Sequence, residues 1–236
     1  MKSHYAWLTA VFVFISAILH AQTADEIISK YITAIGGKEA WQKINNLKEE
    51  GDIDANGTKI RVQVIAVHNK GYRSNIFLSG LTGYVIETPE NGWNYFPWQG
   101  HIKPEAMTPE DLKEAQDDLD VQGSLLDYKE KGHSAEFVGM DDFEGTECYK
   151  IRLNEKSGKI VTYYIDPSNY FVIHSVTITK ANGQENTSSS DYSNYTKLPE
   201  GVWIPFNVSS FGSPFKIKKV EVNAQVDESV FKPATN

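Results

Sequence analysis

The sequence predicts a mainly β domain of the α+β kind: an incomplete antiparallel β-barrel of about 11 strands with helices covering its concave side. Three observations predict it. Apolar and polar residues alternate through much of the chain, as at Ile60, Val62, Val64 and Ala66, which marks strands with one buried face. Turn dipeptides such as Asn56-Gly57, Asn91-Gly92 and Asn182-Gly183 separate these runs, so sequential strands pair as hairpins. Two segments break the alternation with helical spacing.

A leader opens the chain. Lys2 precedes an almost wholly apolar run from Trp7 to Leu19, which ends in Leu19-His20-Ala21. A charged start, a short apolar stretch and a small residue at its end are the plan of an export signal. The stretch is about 13 residues, short of the roughly 20 that span a bilayer. Residues 1–21 are therefore expected to be a signal peptide cleaved after Ala21, with an uncleaved anchor as the alternative. Residues 22–236 are expected to be one exported domain.

The first helix follows at once. Thr23 stands three residues before Glu26, the spacing of a capping box. Ala24, Ile27, Ile28, Tyr31, Ile32 and Ile35 form one apolar stripe, and Gly36-Gly37 stops it. Lys38 to Ile44 reads as a further short helix with Ala40, Trp41 and Ile44 on its apolar side. From Leu47 the period changes to two, and the strands begin. The meander is interrupted at Thr108-Pro109-Glu110-Asp111, a capping threonine, a proline at the first position and acids in the first turn. Leu112, Ala115 and Leu119 continue this helix, and Leu125, Leu126 and Tyr128 read as a second. Strands resume at about Ser134, so a helical lid insert occupies about 108–130. A long meander has to protect its edges and cover its apolar face. Curling the sheet and laying helices into it does both.

Composition limits the function. With 23 basic and 31 acidic side chains among 236 residues, the formal charge is −8, which argues against a nucleic-acid partner. One cysteine excludes an internal disulfide framework. His68, His101, His133 and His174 are far apart, so no metal site is expected. Asp117, Asp118 and Asp120 on the insert, and Asp141, Asp142 and Glu144 in a turn, lack calcium-loop spacing and read as solvated acids. Neither a nucleophile elbow nor a paired-histidine zinc motif occurs, and no glycine-rich phosphate loop does. Cys148 reads as a small buried hydrophobe. No cofactor is implied, and the chain is expected to be non-catalytic.

What remains is shape and apolar surface. Trp93, Tyr95, Phe96 and Trp98 crowd one strand, either as ordinary cross-strand packing or as the wall of an apolar pocket. The candidate lining residues are Ile60, Val62 and Val64 on one face of their strand, with Trp93 and Tyr95 on one face of theirs. The candidate lid residues are Ile27, Tyr31 and Ile35 from the first helix and Leu112 and Leu119 from the insert. Each reads equally well as inert core.

The opening run Thr23–Gly37, the segment Tyr163–Asp166 followed by Tyr170, and Asp191–Tyr195 come in a distinctive order. They are followed by Gly201–Phe206, then Asn223, then Val226–Phe231 and Pro233. This order resembles the LolA-like lipoprotein-carrier superfamily over nearly all of residues 22–236. The resemblance implies an incomplete barrel with helices over an apolar cavity, and a periplasmic carrier of the acyl chains of lipoproteins or lipids for outer-membrane sorting. It implies membrane-bound donor and acceptor proteins as further partners, and a monomer. The alternative it implies is an envelope sensor on the same fold that binds a protein partner. The family's lid-holding arginine has two positional candidates here, Arg61 and Arg73, and is assigned to neither; Arg61 falls on the polar parity of its strand.

Overall fold

The computed structural model describes residues 23–55, 57–181, 184–210 and 212–234. The expected signal peptide lies outside them. Helix α1 (Ala24–Ala34) starts at a complete capping box: the Glu26 amide donates to Thr23 Oγ1 at 3.2 Å, and the Thr23 amide donates to Glu26 Oε2 at 3.3 Å. It ends where Gly36 and Gly37 take φ of +117° and +89°. A Cβ on Gly36 would lie 2.5 Å from the Gly201 carbonyl oxygen, so this close approach requires glycine. The approach is fixed by the Trp203 amide, which donates to the Ile35 carbonyl at 2.8 Å. Helix α2 (Lys38–Trp41) folds back, and Trp41 Nε1 donates to the same carbonyl at 3.0 Å.

Six strands follow: β1 (Asn46–Ala55), β2 (Thr58–Val67), β3 (Gly71–Leu78), β4 (Leu81–Glu87), β5 (Gly92–Tyr95) and β6 (Glu105–Ala106). Helix α3 (Pro109–Ala115) and a 3₁₀ turn over Gln116–Leu119 form the insert. Seven strands complete the sheet: β7 (Ser134–Phe143), β8 (Thr146–Asn154), β9 (Ile160–Ile165), β10 (Val172–Ala181), β11 (Gln184–Lys197), β12 (Trp203–Ser210) and β13 (Ser213–Val222). All pairings are antiparallel, and the spatial order is β6-β5-β4-β3-β2-β1-β13-β12-β11-β10-β9-β8-β7. The first and last long strands therefore pair at the centre, and β6 and β7 are free edges. The sheet is an open, incomplete barrel. It has thirteen strands rather than about eleven; β6, with two residues, is too short to show a period of two.

Two faces result. On the inner face, Ile27 and Ile28 of α1 pack on Ile151, Leu153, Ile165 and Val172. The end of α1 and Trp41 pack with Leu126, Leu198, Val202 and Ile204. On the outer face, a C-terminal 3₁₀ turn (Glu228–Phe231) covers β3 and β4. There Phe231 seats its ring where a Gly71 side chain would stand, and Arg73 Nη1 donates to the Val230 carbonyl at 2.7 Å.

The segment after the insert differs from expectation. Leu125, Leu126 and Tyr128 are buried, but in consecutive turns rather than a second helix. Gly123 and Asp127 take φ of +82° and +51°, which a right-handed helix does not accommodate.

Candidate functional site

The strand register assigns each residue to a face. Across the first arm, Val64 pairs with Glu49 and Ser74, Ala66 with Leu47 and Tyr72, and Tyr72 with Glu87. All of these share the inner face with the helices, because Leu47 joins the cluster around Trp41. Across the second arm, Leu153 pairs with Val161, Val161 with Thr177, and Thr177 with Ser188. The inner face thus passes from aliphatic on β8 and β9 to hydroxylic on β10 and β11.

Three cavities lie along this face. A groove of about 480 Å³ is lined by Val64, Tyr72, Ile204, Val208, Phe215 and Ile217, with Glu49 at its side. A smaller cavity of about 210 Å³ shares Ile204 and Pro205 with it and is bounded by Tyr31, Ile35 and Trp41 from the helices. A chamber of about 550 Å³ lies under α3 and shares Ser124, Tyr163 and Tyr192 with the small cavity. Its floor is Ser175, Thr177, Thr179 and Ser188.

The insert spans the two arms. Thr108 caps α3 by accepting from the Asp111 amide at 3.1 Å. Gln116 Nε2 donates to the Thr88 carbonyl at 3.2 Å, and the Asn69 amide to the Leu119 carbonyl at 2.8 Å. On the far side, Lys159 Nζ sits 3.0 Å from Asp118, 3.5 Å from Glu155 and 3.9 Å from Asp117. Burial pulls the Lys159 pKa down, but these three carboxylates outweigh it and the net shift is upward.

The chamber carries unusual carboxyl groups. Glu87 is 8% exposed, and its Oε2 has no hydrogen-bond partner among the described residues. Burial, with Asp118 adding repulsion, pushes it up to about 7. Glu155 is likewise pushed up to about 7, by burial first and by the adjacent Asp117 carboxylate second. The aspartates of the insert are not all solvated, contrary to the sequence reading. Asp117 and Asp120 have side chains only 13% exposed, and Asp120 pairs with Lys131 and with His68 Nδ1 at 3.2 Å.

The expected site residues separate into groups. Val64 lines the groove. Ile60 and Val62 share its face, opposite Ile53 and Gly51, but stand outside the groove wall. Trp93 and Tyr95 are on the outer face and line none of the three cavities. β4 sets them opposite Ile86 and Tyr84, and the C-terminal turn packs over this cluster. Arg73 belongs to the same outer cluster, over the Tyr84 ring. Tyr31 and Ile35 bound the small cavity, while Ile27 is fully buried in the core. Leu119 is buried and Leu112 half-buried; neither lines a cavity, whereas Glu114, Ala115 and Asp118 of the same insert do. The sequence reading missed Glu87, Glu155 and Lys159. A signal was present in the alternating hydroxyls Ser175, Thr177 and Thr179, whose inward parity matches no apolar strand face.

No group of three metal-ligating side chains occurs among the described residues. Cys148 is buried, donates to the Thr146 carbonyl at 3.4 Å, and burial pushes its thiol up to about 11, so it stays protonated at neutral pH. No described helix is long and apolar enough to cross a membrane.

An open antiparallel sheet wrapped around N-terminal helices, with a helical insert across its mouth, defines the LolA-like fold class. Solved structures agree. A LolA superfamily protein from Nitrosomonas europaea superposes with a TM-score of 0.58 at 14% identity, covering 90% of this chain and 98% of that one. A DUF1329 family protein from Desulfovibrio piger gives 0.55 at 11% identity, covering 89% and 97%. An outer membrane lipoprotein-sorting protein domain from Vibrio parahaemolyticus gives 0.50 at 11%, covering 87% and 94%. These identities establish the fold and nothing finer. No protein-family model and no curated protein matches the chain by sequence.

Proposed function

We propose that the protein is a non-catalytic periplasmic carrier that holds the acyl chain of a lipid or lipoprotein in the groove between β1–β3 and β12–β13. The observation that carries this reading is the groove itself. It offers about 480 Å³ walled by Val64, Ile204, Val208, Phe215 and Ile217, within the range of about 300–1,000 Å³ typical of small-ligand sites. The physical need is plain. Each methylene kept from water is worth about 0.8 kcal/mol, so a chain of about sixteen carbons exposes on the order of 12 kcal/mol. A dry groove removes most of that cost while the chain crosses an aqueous space.

On this reading residues 1–21 direct export and are removed, residues 22–236 act as one monomeric domain, and membrane-bound donor and acceptor proteins load and unload it. The element expected to move is α3, which covers the adjoining chamber, rather than α1. Helix α1 buries Ile27 and Ile28 in the main core, whereas α3 buries only Ala115. The element with less buried surface opens first.

Native mass spectrometry on protein released from its own envelope without detergent tests the proposal. A mass increment matching a lipid or an acylated protein is expected and names the cargo. A bare chain that gains nothing on adding lipid would overturn the carrier and leave the second reading, an envelope sensor with a protein partner.

A further inference from the structure

We infer that the chamber under α3 is a binding site for a primary ammonium group, carried either by a lipid head group or by a free polyamine. The acids of α3 alone would be a solvated surface. What makes them a site is a carboxyl from a different element. Glu87 reaches in from β4, is 8% exposed, and leaves Oε2 without a hydrogen-bond partner among the described residues. A buried carboxylate with no partner is costly to keep.

The wall around it is unbalanced in charge. Glu87, Asp111, Glu114, Asp118 and Glu155 face a single cation, Lys159. Lys159 is engaged by Asp118 and Glu155, and no hydrogen bond joins it to Glu87 Oε2. A second cation would give Glu87 Oε2 the partner it lacks, in place of the proton that burial otherwise keeps on the carboxyl. An ammonium brings three donors and no acceptor, and the chamber offers carboxylates above and the hydroxyls of Ser175 and Thr177 below as acceptors. The charge rejects an anion, and the absence of three converging ligands among the described residues disfavours a metal ion.

The lipid source rests on the carrier reading, since the chamber shares Ser124, Tyr163 and Tyr192 with the apolar cavity that adjoins the groove. The free-amine source does not.

Two arms test the inference on the exported chain. In the first, 1,4-diaminobutane is titrated by calorimetry at low salt in an amine-free buffer, against wild type, Glu87→Gln and Asp118→Asn. Saturable binding is expected, weakened by about thirtyfold or more in Glu87→Gln, the loss typical of removing one partner of a buried charge pair. Asp118, with a side chain 63% exposed, can be changed without threatening the fold, and its variant is expected to bind more weakly too. In the second arm, native mass spectrometry compares retention from vesicles of phosphatidylethanolamine with that from vesicles of phosphatidylglycerol. Diamine binding without lipid preference assigns the free amine, and preference for phosphatidylethanolamine lost in Glu87→Gln assigns the head group. Diamine binding with neither lipid retained upholds the ammonium site and sinks the carrier. Equal retention of both lipids with no diamine binding overturns the ammonium site and leaves the carrier standing. Binding unchanged in both variants overturns it as well.

Discussion

Replacing Glu87 by Gln is expected to stabilise the protein at pH 8 and to do so much less at pH 5. Glu87 sits on β4 opposite Tyr72, with Asp118 and Glu114 from the insert and Glu155 and Lys159 from the far arm around the same chamber. Burial first, and Asp118 second, raise its carboxyl from the ordinary 4.5 to about 7, against a smaller pull from Lys159. The folded state therefore holds a proton that the unfolded chain has already released. Between about pH 4.5 and pH 7 stability falls as pH rises, and above pH 7 the loss is complete. At about 1.4 kcal/mol per pH unit, the gap between those two values is worth about 3 kcal/mol. Glutamine keeps the shape and carries no charge, so its variant lacks this term. Urea unfolding of both proteins at intervals from pH 5 to pH 8, in amine-free buffer, measures the difference. Glu155 titrates in the same window but is present in both proteins, so it cancels. Two parallel stability–pH profiles would refute the reasoning, because they would mean that Glu87 ionises freely in a wet chamber.

Other outcomes follow from the same structure. Phe231→Ala is expected to cost about 3–5 kcal/mol, since Phe231 is 5% exposed against Gly71; denaturant unfolding reads the loss, and lipid retention at low temperature is expected to persist because the outer cluster is not the groove. Gly36→Ala is expected to cost at least about 1–3 kcal/mol, because its φ is +117° and the new Cβ would meet the Gly201 carbonyl oxygen at 2.5 Å; a lowered melting temperature is the readout. Val208→Trp is expected to fill the groove and abolish the lipid mass increment while the circular dichroism spectrum stays that of wild type.

Much of the fold was legible because it rests on local rules. The capping box at Thr23 and Glu26, the stop at Gly36-Gly37 and the capped start at Thr108-Pro109 all appear where their spacing places them. The alternation at Ile60, Val62 and Val64 sets these three on one face of β2. The site was less legible because strand parity says only that two faces exist, and not which one the helices cover. Trp93 and Tyr95 alternate as well as Val64 does. Their face is decided by the pairing of Ile86 with Arg73 and of Arg73 with Ile65, and by a C-terminal turn more than a hundred residues away that packs on it. Glu87 was equally hidden. It ends an ordinary strand, and its environment is made by α3 and by Lys159, which the sequence separates widely.

The inner face is built for two chemistries, and this limits what it can hold. A wholly apolar ligand would satisfy Val64, Val208 and Phe215 but leave Glu87 without a partner in the chamber. A wholly polar one would pair Glu87 and leave the groove wet. The small cavity shares walls with both regions, Ile204 and Pro205 with the groove and Tyr163 and Tyr192 with the chamber. Tyrosine suits that boundary, with an apolar ring and a polar tip; Tyr192 Oη lies 3.1 Å from Ser175 Oγ, at the chamber floor. An amphiphile with a short cationic head meets both demands in one orientation, head under α3 and chain toward β13. Reversed, it would bury methylenes among the carboxylates of the chamber and leave the ammonium with Glu49 as the one carboxyl lining the groove, losing the apolar transfer energy and most of the charge pairing. On the carrier reading, the sheet favours the orientation with the head under α3, and moving α3 aside would free the head.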